Sequence, residues 1–144
     1  QFTAVSENEA FARIAVAAFV TPLNPTLEEI ADIKTAVSEA VTNAIIHGYD
    51  GMTGKEQNQV YIHCLLNRDV LQVEVIDEGK GIEDVEKAME PMYTTKPDMD
   101  RSGMGFAFME AFMDELEVIS EPGQGTTVLM SKKLGTLPFI DREE

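Results

Sequence analysis

The sequence predicts an α+β fold in which one mostly antiparallel sheet keeps a wet face and packs its other face on helices. Three observations predict it. Ser6–Glu9 and Thr26–Glu29 have the spacing of capping boxes, and each opens a run with an apolar residue every three or four positions. Two β-rich runs, 59–67 and 70–77, are joined by Asn67-Arg68-Asp69, which reads as a hairpin. Within the second run Leu71, Val73 and Val75 alternate with Gln72 and Glu74, the pattern of a sheet half covered and half solvated.

The elements follow in order. Residues 1–5 form the end of a strand. Behind Ser6 as N-cap, Phe11, Ile14, Ala15, Ala18 and Phe19 mark the expected core face of a first helix, with Arg13 off that stripe as its only base. On so acidic a chain Arg13 is a candidate partner contact. Pro22 and Pro25 end this helix, and Thr26 starts a longer one near Leu27. Ile30, Ile33, Val37, Val41 and Ala44 give that helix its buried stripe, and Gly48 is expected to close it as a C-cap. Residues 49–58 form a polar loop before the hairpin, in which His63 is a structural residue. A short helix spans 84–89 and irregular chain spans 90–104. Phe106, Met109, Phe112, Met113 and Leu116 then predict an amphipathic helix from Gly105. A strand begins at 118–120, turns through Glu121-Pro122-Gly123-Gln124-Gly125, and returns over 126–131. Residues 134–144 have no clear period. No internal repeat or linker is visible, so the expectation is one domain over 1–133 with a tail over 134–144.

Composition excludes several classes. Hydrophobic residues make up 44%, too many for disorder, and no apolar run approaches the roughly 20 residues of a membrane span. The net charge of −15, from 26 acids against 11 bases, removes the basic footprint that nucleic-acid binding needs and suits a basic protein partner. The lone Cys64 cannot pair within the chain and fits a reducing, cytoplasmic setting. No signal peptide is expected, and a start at Gln1 rather than Met predicts a few missing leading residues.

Four short motifs carry the chemistry. Glu39 and Asn43 are four apart and project side by side, opposite the buried stripe, on a face shared with the apolar Ile46. Carboxylate, carboxamide and apolar side chain together suit a face covered by ligand. Asn43 offers a neutral oxygen to Mg²⁺, and Glu39 could polarise a hydroxyl for attack on a γ-phosphate. Asp77-Glu78-Gly79-Lys80-Gly81 follows a strand directly: glycines there allow positive φ and close approach, and Asp77 becomes an acceptor at a pocket floor. Gly103 and Gly105 flank Met104 at a helix start, where free N–H groups attract phosphate, with Lys96 and Arg101 in the same loop.

Glu39-x-x-x-Asn43, Asp77-x-Gly79-x-Gly81, Gly103-x-Gly105 and Gly125-Thr126-Thr127 together resemble the four boxes of the GHKL ATP-binding superfamily, which includes gyrase, MutL and the histidine kinases. The strings 37–48, 93–97, 101–106 and 112–115 are similar to its sporulation anti-sigma-factor branch. The resemblance implies a two-layer α/β sandwich of the Bergerat type, with a mixed, mostly antiparallel sheet and helices on one face. It implies ATP or ADP and Mg²⁺ as cofactors, with Asn43 as metal ligand, Glu39 as general base and Asp77 as acceptor for the adenine amine. Gly79, Gly81, Gly103 and Gly105 would approach the nucleotide. Thr95, Lys96 and Arg101 would belong to a lid, Arg101 reaching the γ-phosphate, and Thr126 would lie near adenine. His47, Ser102, Met104 and Phe106 fall inside the same nucleotide boxes. The implied partners are a sporulation sigma factor, a STAS-domain anti-anti-sigma factor phosphorylated on serine, and a second copy of the chain, with Arg13 at a partner face. A histidine-kinase catalytic part and a nucleotide-gated binding module without kinase activity remain alternatives.

Overall fold

Thr26 sets the longest helix. It is extended at φ −72, ψ 164; its hydroxyl accepts the Glu29 N–H at 3.0 Å, and Glu29 Oε1 accepts the Thr26 N–H at 2.8 Å. The expected capping box is therefore closed, and helix α2 runs Leu27–Asn43. The computed structural model describes residues 1–50, 57–90 and 105–135. Its strands are β1 (Phe2–Thr3), β2 (Gln59–Asn67), β3 (Val70–Asp77), β4 (Glu115–Ser120) and β5 (Thr126–Lys133), in the order β1-β2-β3-β5-β4. Every pairing among them is antiparallel, so the mixed component of the expectation is absent among the described residues. The other helices are α1 (Glu7–Phe19), α3 (Val85–Ala88) and α4 (Gly105–Phe112).

Alternation fixes the layers. Val60, Leu71, Val73, Val75, Val128 and Met130 are buried on one sheet face and join Ile33, Ala36, Val37, Ala40 and Val41 of α2 in a single core. The β2–β3 hairpin has the bounds its residue pattern predicts, with Arg68 at φ 59 in the turn. On the opposite face the hairpin's His63 lies 3.0 Å from Glu74, a cross-strand pair consistent with a structural role.

Four expectations need correction. In α1 the core face is the small-residue stripe Ala12, Val16 and Val20, whereas Phe11, Ile14, Ala15, Ala18 and Phe19 face outward. Small side chains let α1 lie close to α2, and the bulkier stripe is left over. Ser6 is helical (φ −58, ψ −33) and makes no side-chain cap bond; Glu9, its intended partner, lies 3.4 Å from Arg13 instead. Helix α4 stops at Phe112, and Leu116 belongs to β4. There the mostly buried Lys132 Nζ donates to the Phe112 carbonyl at 2.8 Å and lies 3.8 Å from Asp32, ending the helix against a cation. Finally, Leu134 is fully buried and the Gly135 N–H donates to Glu29 at 3.3 Å, so these two residues pack with the domain rather than with a tail.

Candidate functional site

Beyond Asn43 the long helix changes period. Residues Ala44–Gly48 form a π-helical turn, with the Tyr49 N–H donating to the Ala44 carbonyl at 3.2 Å. Gly48 is thus not a left-handed cap, as the sequence suggested, but a point of contact. A methyl group there would lie 2.7 Å from Asp77 Cγ, closer than side chains pack. Gly79 likewise has no room for a Cβ beside the Gly48 carbonyl, which accepts the Lys80 N–H at 2.9 Å. Of the two glycines in Asp77-x-Gly79-x-Gly81, Gly81 alone has positive φ, at +78. One glycine serves approach and the other serves the turn.

The contact opens a cleft of about 600 Å³ over one end of the inner sheet face. Its floor comes from a cross-strand row, Asp77 beside Thr126 beside Ser120, with Val75 and Val128 behind. Asp77 is 5% exposed; its carboxylate accepts the Gly79 N–H at 2.9 Å and the Thr126 N–H. Burial pushes its pKa from 3.8 up to about 6; these two N–H donors pull it back and the neighbouring Glu78 charge raises it further. It is therefore mostly ionised at neutral pH, a buried acceptor suited to an N–H donor from a ligand. The Ser120 hydroxyl accepts the Ile82 N–H at 2.7 Å and lies 2.8 Å from the Thr126 hydroxyl, which fastens the turn to the floor.

Of the residues that the motifs singled out, Asn43, His47, Asp77, Gly81, Gly105, Phe106 and Thr126 line the cleft, whereas Gly79 packs on the Gly48 carbonyl and is not among its lining residues. Glu39 stands one turn behind Asn43. A methyl at Gly105 would lie 3.1 Å from Asn43 Nδ2 and 3.3 Å from Glu39 Oε1, so both side chains meet the start of α4. Among the described residues no three or more His, Cys, Asp or Glu cluster as a metal cage. Asn43 offers instead a single neutral oxygen, a donor that suits Mg²⁺ when phosphate oxygens and water complete its shell, and the Glu39 carboxylate one turn away is left for proton transfer. Thr95, Lys96, Arg101, Ser102, Gly103 and Met104 lie outside the described residues. Arg13 is on α1 with Glu9, in the helix layer. The structure adds residues that the motifs did not contain. Lys87 lines the cleft without belonging to any motif, and Lys80, inside the Asp77–Gly81 motif, lines it too and pairs with Asp50 at 2.8 Å. Tyr49 fastens its wall, and its only sequence signal is a lone aromatic after a glycine.

The family described as histidine kinase-like ATPase domain matches residues 2–132. A histidine kinase domain from the blue-light activated histidine kinase of Erythrobacter litoralis EL346 shares the fold at a TM-score of 0.53 and 24% identity, covering 74% of this chain and 45% of that one. The chain belongs to the histidine kinase-like ATPase domains, a nucleotide-binding class of the GHKL type, and its helices over an antiparallel sheet fit that fold. The anti-sigma F factors of Oceanobacillus iheyensis and Clostridium beijerinckii are both 56% identical to it, over 92% and 95% of this chain and 89% and 94% of theirs. That of Thermoanaerobacter sp. is 57% identical over 94% of this chain and 92% of its own. Within the class, the chain is a member of the anti-sigma F factor family. No helix among the described residues is long and apolar enough to cross a membrane.

Proposed function

We propose that this chain is an ATP- and Mg²⁺-dependent protein serine kinase that also sequesters a sporulation sigma factor, its phosphoacceptor being a serine of a STAS-domain anti-anti-sigma factor in the cytoplasm. The observation that carries this reading is a cleft lined by both Asn43 and Asp77, with Glu39 one turn from Asn43 and both of these α2 side chains against Gly105 at the start of α4. Asp77 accepts the adenine amine. Asn43 Oδ1 would hold Mg²⁺, which on binding neutralises phosphate charge. Glu39 takes the proton of the incoming serine hydroxyl while its oxygen attacks the γ-phosphorus; the bond to the bridging oxygen breaks and ADP leaves. Arg101 is the assigned γ-phosphate contact, with Thr95 and Lys96 in the lid, by resemblance.

The outward stripe of α1 supports a second copy of the chain as one partner. Phe11, Ile14 and Phe19 are 66%, 57% and 43% exposed on adjacent turns, and β1 is an edge strand of the sheet. Arg13, on the same helix, is assigned to the protein partners; Arg13→Ala should weaken binding of at least one of them, and unchanged affinity for both removes it.

Transfer of labelled phosphate from Mg-ATP to a STAS-domain protein tests the kinase reading, with Glu39→Ala and a serine-to-alanine substrate as controls. Transfer that both changes abolish supports it. No transfer by a chain that still binds ATP would leave a nucleotide-gated binding module.

A further inference from the structure

Tyr49 has no part in the nucleotide reading, yet it joins the chain after the π-helical turn to the start of β2 and the end of β3. Its side chain is buried, and its hydroxyl makes two short bonds: it donates to the Gln59 carbonyl at 2.6 Å and accepts the Glu78 N–H at 2.7 Å. Gln59 and Glu78 flank Val60 and Asp77, the last pair of the β2–β3 ladder. Extended by one residue, the ladder would pair Gln59 with Glu78 directly. The phenol oxygen stands between them instead. The ladder therefore ends at Asp77, and the chain leaves β3 for the turn over Gly48. The π-helical turn delivers the ring to this place: an α-helical bond in its stead would rotate it by about 100° about the helix axis. Burial, the largest influence on it, holds the phenol above its ordinary pKa, so it keeps the proton it donates.

We infer that Tyr49 is a positioning residue whose hydroxyl sets the Asp77–Gly79 turn at the angle that presents the Asp77 carboxylate to a purine's 6-amino group. On this basis Tyr49 governs discrimination between nucleotides that carry that amine and nucleotides that lack it. The inference rests on the reading of Asp77 as the amine acceptor.

The test compares binding of ATP and of purine riboside triphosphate, which has hydrogen at C6, by the wild type and by Tyr49→Phe. The phenylalanine keeps the ring and removes both hydrogen bonds. Its affinity for ATP should fall about tenfold, the worth of one charge-assisted bond imperfectly made, while its affinity for the purine riboside nucleotide stays within about twofold. An equal loss for both nucleotides, or no loss for either, overturns the inference and leaves Asp77 in its role. A wild type that binds both nucleotides alike overturns the Asp77 reading and this inference with it. Hydrogen exchange in the nucleotide-free wild type supplies a second measurement that does not depend on the variant's folding. The Glu78 amide should exchange slowly, as a bonded group; exchange at the rate of an open loop amide overturns the inference.

Discussion

Adding one methyl group at Gly48 is the sharpest perturbation of the site. In Gly48→Ala the new carbon would lie 2.7 Å from Asp77 Cγ and Oδ1 and 2.9 Å from Oδ2. Comfortable contact between such atoms begins near 3.5 Å, so the carboxylate must retreat by about 1 Å. It cannot do so and keep its bonds, because the Gly79 N–H stands at 2.9 Å and hydrogen bonds fail beyond roughly 3.5 Å. A hydrogen bond to a charged group is worth about 1.5–3 kcal/mol, so ATP should bind about 10- to 150-fold more weakly. Overpacking should also lower stability by about 1–3 kcal/mol. Calorimetric titration with ATP at 25 °C measures the first effect and urea unfolding the second. Gly123→Ala is the control: its methyl meets nothing within 4 Å, but φ is +80, so it should destabilise by about 1–2 kcal/mol and leave ATP affinity unchanged. In an Asp77→Ala background Gly48→Ala should no longer weaken binding, since the group it displaces is gone. Wild-type ATP affinity in Gly48→Ala would refute the placing of Asp77 against the nucleotide.

Three further outcomes are expected. Because the folded-state pKa of Asp77, about 6, lies above its ordinary 3.8, its ionisation opposes folding: the penalty is absent below about pH 3.8, grows between the two values, and is complete above 6, at about 3 kcal/mol. Urea unfolding of the nucleotide-free protein should therefore show wild type losing stability relative to Asp77→Asn as pH rises from 4 to 7, and a flat difference would contradict the burial argument. Thr26→Ala should destabilise by about 1 kcal/mol by thermal unfolding, whereas Ser6→Ala should leave the melting temperature unchanged, since the Ser6 side chain makes no cap bond. Lys132→Met should destabilise by about 1–2 kcal/mol and speed amide exchange in the last turn of α4, because the Phe112 carbonyl loses its cationic donor.

Where one residue type has one physical use, the sequence was legible. The hairpin bounds followed from alternation and turn chemistry, and the α2 start from a capping box whose two bonds both form. The floor residues Asp77 and Thr126 were legible because a motif placed them at strand ends, next to glycines. The α1 face was not, because hydrophobicity marks two stripes on that helix and does not say which one meets α2. The small stripe wins by permitting close approach, a property of the pair of helices rather than of either alone. Leu116 has the spacing of the α4 stripe and also alternates properly in β4, so its period was ambiguous until Lys132, sixteen residues on, ended the helix. Tyr49 was illegible for a similar reason. Its hydroxyl acts on the backbone of residues 59 and 78, and backbone groups leave no mark in a pattern of side chains.

The Asp77 and Asn43 sides of the cleft are built by different means, and this separates their expected phenotypes. The Asp77 side, proposed to take the base, is made by backbone closure: the π-helical turn, Gly48 against Asp77, and Lys80 N–H on the Gly48 carbonyl. The Asn43 side is made by helix packing, with Asn43 and Glu39 of α2 against Gly105 of α4. ATP and ADP share the adenine and differ only in the γ-phosphate. Substitutions on the Asp77 side, Gly48→Ala among them, should therefore weaken both nucleotides by the same factor. A methyl at Gly105 would press on the Asn43 amide at 3.1 Å, a distance only a small shift relieves. Gly105→Ala should consequently change the ratio of ATP to ADP affinity while Gly48→Ala preserves it. An altered ratio in Gly48→Ala, or an unaltered one in Gly105→Ala, would mean that the two sides move as one unit.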